Sequence, residues 1–364
     1  MSDPLRFVKP AVRRVAAYTL APRPSRVKLD QNENPYELPD TVKRHVLERA
    51  MARPWARYPD FNPEPFCARL AAHAGWRADG VLAGNGSNEL IEALLMVTVS
   101  EGTPVVIPEP TFTLYSLLTG ILGGRAVPVP LDDRLRYDAP ALSAAQRDSG
   151  ATLTIVCSPN NPTGCSLSRD AIEELCAGSG LVVVDEAYGE FATWSAVELL
   201  ERHPNLIVLR TFSKAVALAG LRVGYLLAAP ELVREINKAR LPYNLNFFSQ
   251  IAAETALDDW GSVSGAIARI LREREALAAA LARVPGVRCY PSDGNFLLVE
   301  LRDAKPRPVF EALAAEGILV RDVSRYPRLE RCLRISVGSP EESLALLDAL
   351  PGALERGREQ LEAQ

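Results

Sequence analysis

The segment "TFSKAVALAGLRVG" (211–224) sets Lys214 among small apolar residues, after an apolar strand and at what the pattern predicts is the start of a helix. The chain has six lysines against thirty-five arginines, and this lysine has no acidic neighbour in sequence. With few groups to hold its charge, such an amine deprotonates more easily than usual. The neutral amine is the form that adds to carbonyl carbons. Taken alone, a lysine more often lays its stem on apolar surface and sends its head to water. Here the neighbours favour chemistry. Thr211 and Ser213 supply hydroxyls and Arg222 a planar guanidinium, a set that suits the dianion of a phosphate monoester.

A lysine that takes an aldehyde beside a phosphate site points to pyridoxal 5′-phosphate (PLP). Its ring works best as an electron sink when its nitrogen is protonated, which needs a buried carboxylate. "LVVVDEAYGEF" (181–191) offers Asp185 at the C-terminal end of an apolar strand, where α/β sheets place their ligands. Tyr188, three residues on, can donate to the cofactor's phenolic oxygen. "CSPNNPTG" (157–164) ends another strand in a turn-rich run and offers Asn161 to the same oxygen. "GNGSNE" (84–89) opens a helix whose free N–H groups, at Ser87 and Asn88, would cradle a phosphate. Its first two glycines match the start of a dinucleotide fingerprint, but Glu89 replaces the third. Phe112, in "EPTF", is a candidate to stack on the ring. Each residue has a plainer reading: a cap for Asp185, an Asn-Pro turn for Asn161, the core for Phe112.

In their order and residues these segments resemble the fold-type-I PLP-dependent aminotransferases, and within them the histidinol-phosphate aminotransferases. The resemblance runs from "KLDQNENPY" (28–36) and "RYPD" (57–60), through the segments above, to "LPYNLN" (241–246), "GILVRD" (317–322) and "CLRISVG" (332–338). It implies that Lys214 binds the cofactor's aldehyde and shuttles the proton, that Asp185 faces the ring nitrogen, and that Asn161 and Tyr188 hold the phenolic oxygen. It implies that Ser87, Asn88, Thr211, Ser213 and Arg222 hold the phosphate. Tyr58 would reach the cofactor phosphate of a neighbouring subunit, which makes the expected assembly a homodimer. Arg334 would clamp a carboxylate, with Arg321 and Tyr18 at the distal end of the substrate site and Asn34 and Tyr243 as further substrate-binding residues. Phe112 stands where relatives often carry tyrosine, and the first thirty residues match loosely.

The implied reaction passes the amine of L-histidinol phosphate to 2-oxoglutarate, giving imidazole acetol phosphate and L-glutamate. Three alternatives share the motifs: an aromatic amino acid aminotransferase, a PLP lyase like threonine-phosphate decarboxylase, and a non-enzymatic PLP-binding regulator. The last would normally carry a basic helix-turn-helix, and none is apparent.

The elements that must position these residues read as α/β. Candidate strands at 104–108, 126–130, 152–157, 181–186, 206–210 and 224–228 are mostly continuous apolar runs, as strands covered on both faces are. Helices are expected at 40–50, with Asp40 as a possible N-cap, and at 87–99 and 168–177. The reading is a mostly parallel central sheet in a large PLP-binding domain (61–261). A smaller α+β domain (31–60 with 262–364) joins it through a long helix near 263–284, and residues 1–30 form an extended arm. At 364 residues and net charge −4, with dispersed arginines, no nucleic-acid partner is expected. Six cysteines without C-x-x-C pairs and three scattered histidines predict no metal site, and fit free thiols in a reducing cytoplasm. No secretory signal or membrane span is expected.

Overall fold

The computed structural model describes residues 3–16 and 23–362. In chain order its strands are β1 (Val27–Lys28), β2 (Val81–Gly84), β3 (Pro104–Glu109), β4 (Arg125–Pro130), β5 (Leu153–Cys157), β6 (Leu181–Asp185), β7 (Leu206–Thr211) and β8 (Gly224–Leu227). The C-terminal part adds β9 (Val287–Cys289), β10 (Phe296–Leu301), β11 (Ile318–Leu319), β12 (Arg321–Asp322) and β13 (Cys332–Ser336). Seven strands form one sheet in the order β2-β8-β7-β6-β5-β3-β4. Only the contacts of β8 with β2 and β7 are antiparallel; the other neighbours run parallel.

Apolar strands such as β5 and β6 are buried on both faces, which is why they read as continuous apolar runs rather than alternating ones. One core lies on each side of the sheet: Val182, Val184, Leu206 and Val208 face one, while Val183, Ile207, Leu209 and Leu153 face the other. The chain order reverses between β3 and β5, and at such a switch point loops diverge to leave a crevice beyond the carboxyl ends of the strands.

The smaller unit has an antiparallel sheet, β12-β13-β10-β9, joined by the 22-residue helix Trp260–Leu281. Its core gathers Leu297, Val299, Leu333 and Ile335 with Leu346 and Leu350 of the last helix. β1 pairs with β11, which ties the entering chain to this unit.

Four expectations are corrected. The helix Asp40–Met51 belongs with the large unit, because Val42, Val46 and Ala50 form an i, i+4, i+8 stripe packed into the same core as Ile251, Ala252 and Ala256. Its N-cap is Pro39, with Asp40 in the first turn. No α-helix opens at Lys214; the chain turns there and makes only a 3-10 turn at Ala219–Leu221. The arm carries short helical turns at Pro4–Phe7 and Pro10–Arg14 rather than a plain extended run. Among the described residues, no helix is long and apolar enough to cross a membrane, and no cluster of three His, Cys, Asp or Glu could hold a metal ion.

A buried ion network stands directly behind the end of β6. Arg210 donates to Glu186 (2.8 Å), Glu190 (3.1 Å) and Ser195 (2.8 Å), and Glu186 also accepts from Ala196 N (2.6 Å). Removing the one cation strands two buried carboxylates. Arg210→Met is therefore expected to cost about 3–5 kcal/mol in chemical denaturation. Arg202→Met, which breaks the exposed pair with Glu173, should cost under about 1 kcal/mol. Equal losses would show that the buried network is not what holds the strand end.

Candidate active site

The crevice predicted by the switch point is a cleft of about 270 Å³. Its floor comes from the carboxyl ends of four adjacent strands. Phe112 follows β3, Asn161 follows β5, Asp185 ends β6, and Thr211, Ser213 and Lys214 end or follow β7. Asn160 fixes two of these loops. Its amide nitrogen donates to Pro110 O (3.0 Å) and Thr163 Oγ1 (2.7 Å), and its Oδ1 accepts from Thr111 Oγ1 (2.6 Å). These bonds staple the loop after β3 to the loop after β5, and so place Phe112 beside Asn161.

One end of the cleft is built for an anion. The helix Ser87–Thr98 begins there, and the first N–H groups of a helix lack intrahelical acceptors. Gly86 precedes it at φ +80°, and a Cβ on Gly86 would sit 2.4 Å from Arg222 Nη2. The bare backbone thus lets the guanidinium close on the helix start. Arg222 Nη1 donates to Ser213 Oγ (2.9 Å), and Thr211 Oγ1 lies 3.1 Å from the same oxygen. Gly224 completes the fit, since a Cβ there would come 2.4 Å from Ser87 N.

Asp185 is fully enclosed in the middle of the floor. Tyr115, itself completely buried, donates its hydroxyl to Asp185 Oδ2 (2.6 Å), and Ala187 N donates to Oδ1 (3.0 Å). Burial pushes the carboxyl up to about 6, and these two donors and the nearby Glu186 charge modify that shift. Opposite lies Lys214, half-buried in the cleft wall, with Nζ donating to the Gln31 carbonyl (2.8 Å). Burial, reinforced by the positive charges of Arg334 and Arg222 against the pull of Glu33, drops its amine to about 7. Tyr188 is buried beside it, its ring 5.9 Å from Lys214 Nζ, and burial keeps its hydroxyl protonated.

The small unit closes the other end. Arg334 on β13 donates to Asn161 Oδ1 (2.5 Å) and to the Asp30 carbonyl (2.5 Å). Arg321 on β12 is its register partner across the ladder, so both side chains leave one face of the sheet, and both line the cleft with Tyr326.

Ser87, Asn88, Phe112, Asn161, Asp185, Tyr188, Thr211, Ser213, Lys214, Arg222, Arg321 and Arg334 thus meet in one place. Three expected residues do not. Asn34 is corrected: its amide donates to Ala215 O (2.9 Å), its oxygen accepts from Tyr36 N (2.9 Å), and it lines a separate groove. Tyr58 and Tyr243 stack on each other at 4.5 Å on the outer surface, away from this chain's cleft. Tyr18 lies outside the described residues. Tyr115 and Asn32 escape sequence reading altogether. Tyr115 reads as a core residue one helical turn past Phe112, and Asn32 hides in a loop where only the fold shows that it reaches Tyr188 (2.9 Å).

The chain matches the model of the aminotransferase class I and II family over residues 24–350. It is 40% identical to a histidinol-phosphate aminotransferase of Chlorobaculum tepidum over 347 residues, 94% of this chain and 99% of that one. Among solved structures it superposes on a Sinorhizobium meliloti histidinol-phosphate aminotransferase in complex with pyridoxal-5′-phosphate, with a TM-score of 0.87 at 27% identity, covering 96% and 98% of the two chains. It also shares its fold with L-threonine-O-3-phosphate decarboxylase from Porphyromonas gingivalis, with a TM-score of 0.79 at 22% identity over 90% of this chain and 99% of that one. The match thus embraces both the floor that carries Lys214 and Asp185 and the small unit that carries the two arginines, and the chain belongs to the class I and II aminotransferase family.

Proposed function

We propose that this protein is a PLP-dependent aminotransferase that moves an amine between L-histidinol phosphate and 2-oxoglutarate, a step of histidine biosynthesis. The carrying observation is the pair Arg321 and Arg334, set directly opposite each other on β12 and β13 at the far end of a cleft that holds Lys214 and Asp185. Like charges in register are unfavourable unless an anion answers them. Two planar forks suit either a phosphate ester or the carboxylates of glutamate, which is what a two-substrate exchange at one site requires.

The residues fit the cofactor. Asp185 is a buried acid whose hydrogen bonds come from neutral donors, so a cationic ring nitrogen would stabilise its charge. The bare Gly86 backbone, the helix start at Ser87 and Asn88, Thr211, Ser213 and Arg222 form a phosphate cradle. Bound there, PLP would supply an electrophilic carbonyl and an electron-withdrawing ring. Lys214 provides an amine that is neutral for about half the molecules near pH 7, so it can take a proton at Nζ and return it. Asn161, Tyr188 and Phe112 line the cleft, where the first two would orient the ring and Phe112 would stack on it. Arg334 and Arg321 fix the anionic end of the substrate, which holds the reacting carbon near Lys214.

The surface supports assembly as a homodimer. Tyr58 is 80% exposed, and Trp55, Phe61 and Leu241 stand exposed around the Tyr58–Tyr243 stack. A second copy covering this patch would bring Tyr58 to the phosphate end of its partner's cleft through a two-fold interface.

Three tests bear on this reading. In cofactor-free protein, condensation of PLP with Lys214 should speed up as pH rises through about 7, since a lowered amine pKa makes the reactive neutral form available above that value. The rate at pH 6 should be about tenfold below the plateau. Stopped-flow absorbance from pH 5.5 to 9 measures it, and a rate still climbing steeply at pH 9 refutes the lowered amine. Arg321→Ala should lower kcat/KM for histidinol phosphate at least about tenfold, on the scale of a charge-assisted bond, and affect phenylalanine much less. A wild type that prefers phenylalanine, or a ratio that the mutation leaves unmoved, favours an aromatic substrate instead. Mixing inactive Lys214→Ala with inactive Tyr58→Phe subunits should restore part of the activity, because one site of the heterodimer carries neither lesion. No recovery after proven subunit exchange would mean that each site is built within one chain.

A further inference from the structure

Asn32 is completely buried in the loop between β1 and the helix at Asp40–Met51, with its backbone in the left-handed region at φ 55°. Asparagine tolerates that conformation better than most residues. Two groups of the small unit hold it through three bonds. Asn295 Nδ2 donates to the Asn32 carbonyl (3.0 Å), Asn32 N donates to Ser336 Oγ (2.8 Å), and Ser336 Oγ lies 3.0 Å from Asn32 Oδ1. From the same residue, the side-chain amide crosses to the large unit and meets the Tyr188 hydroxyl at 2.9 Å.

The bonds run one way along this chain. Ser336 Oγ accepts the Asn32 backbone N–H on one lone pair and donates its single proton to Asn32 Oδ1. That turns the amide oxygen toward Ser336 and leaves Nδ2, which can only donate, facing Tyr188. The tyrosine oxygen must therefore accept from Asn32. Its own proton cannot lie on that line and has to point elsewhere. Asn32 is the hydroxyl's one hydrogen-bond partner among the described residues, and Tyr188 lines the cleft beside Asn161 and Lys214. Burial keeps the tyrosine protonated, so there is a proton to aim.

We propose that Asn32 is a positioning residue that directs the Tyr188 O–H into the cleft, toward the phenolic oxygen of a bound cofactor. The proposal rests on the PLP reading above. It makes the small unit, through Ser336 and Asn295, responsible for the aim of a hydrogen bond given by the large one.

A donor aimed at the phenolate stabilises the anionic form, so losing it raises the pH at which the bound cofactor's visible band titrates. The experiment is a spectral pH titration of the PLP-loaded protein. It compares wild type, Asn32→Asp and Ser336→Ala, each with Tyr188 and with Tyr188→Phe. The carboxylate of Asn32→Asp only accepts, so it captures the tyrosine proton, and aspartate also tolerates the left-handed backbone. Its midpoint should rise by about one pH unit, a tenfold change, beyond whatever its added charge does in the Tyr188→Phe background. Ser336→Ala adds no charge. It frees the amide to turn its oxygen to Tyr188, and should shift the midpoint in the same direction by less, with no shift when Tyr188 is phenylalanine. Equal shifts in both tyrosine backgrounds, or none in either variant, overturn the aiming role while the cofactor assignment stands. A wild type that binds no PLP and shows no visible band overturns the cofactor reading and this one with it.

Discussion

A carboxylate at the end of a strand buried on both faces is costly, and much of this molecule is arranged to keep Asp185 there. Two neutral donors, Tyr115 and Ala187, hold its two oxygens without cancelling its charge. The next residue, Glu186, turns to the opposite side, where Arg210 ties it to Glu190 and Ser195. Alternation along the chain thus sends one acid into the cleft and its neighbour into an ion network that anchors the strand end. A full salt bridge to Asp185 would stabilise the fold more. It would also remove the unanswered negative charge that suits a cationic ring. What is left unbalanced in the fold is what makes the site useful.

Lys214 shows the same logic with opposite sign. Its amine is partly desolvated in the cleft wall and placed within the field of Arg334 and Arg222, which drops it to about 7. The guanidiniums cannot release theirs, so each needs an acceptor. Among their acceptors are Asn161 Oδ1 and the Asp30 carbonyl for Arg334, and Ser213 Oγ and the Ala219 carbonyl for Arg222. A cleft with three arginines (Arg222, Arg321 and Arg334), one low-pKa lysine and one raised-pKa acid is electrostatically set for anions at both ends and a cation at the floor.

The sequence made the sheet legible because its strands are β-branched runs between turn-rich loops, and six of its seven were readable. β2, "VLAG", escaped because four residues ending in glycine carry almost no pattern. Lys214, Asp185 and Asn161 were legible because each stands at the carboxyl end of such a strand, where position in the chain already means position in the site. Residues that act across the chain were not. Tyr115 meets an acid seventy positions away, and Asn32 meets a tyrosine 156 away, and no local periodicity encodes such distances. In "QNENPY" the two asparagines look alike, and Asn34 is the one that serves a turn. The helix at 40–51 was misplaced for a related reason: its apolar stripe shows that it packs but not on which body.

The two halves of the site come from different layers, and this bears on how one fold serves different chemistries. The floor and the anion-suited helix start belong to the large unit, while Arg321, Arg334 and Tyr326, which line the far end of the cleft, belong to the small one. A decarboxylase shares this fold at 22% identity, so the fold alone does not choose the reaction. With the roles proposed above, the choice lies in how a substrate is turned above the floor, which would be set by where the small unit holds its anion. The seam between the layers is therefore the decisive place. Asn32, Gln31 and Asp30 run along it, bonding to Tyr188, Lys214 and Arg334 in turn. A three-residue segment thus links Lys214, Tyr188 and Arg334, the residues proposed above to move a proton, orient the ring and hold the substrate's anion. Changes along this seam can alter reaction outcome without touching either core.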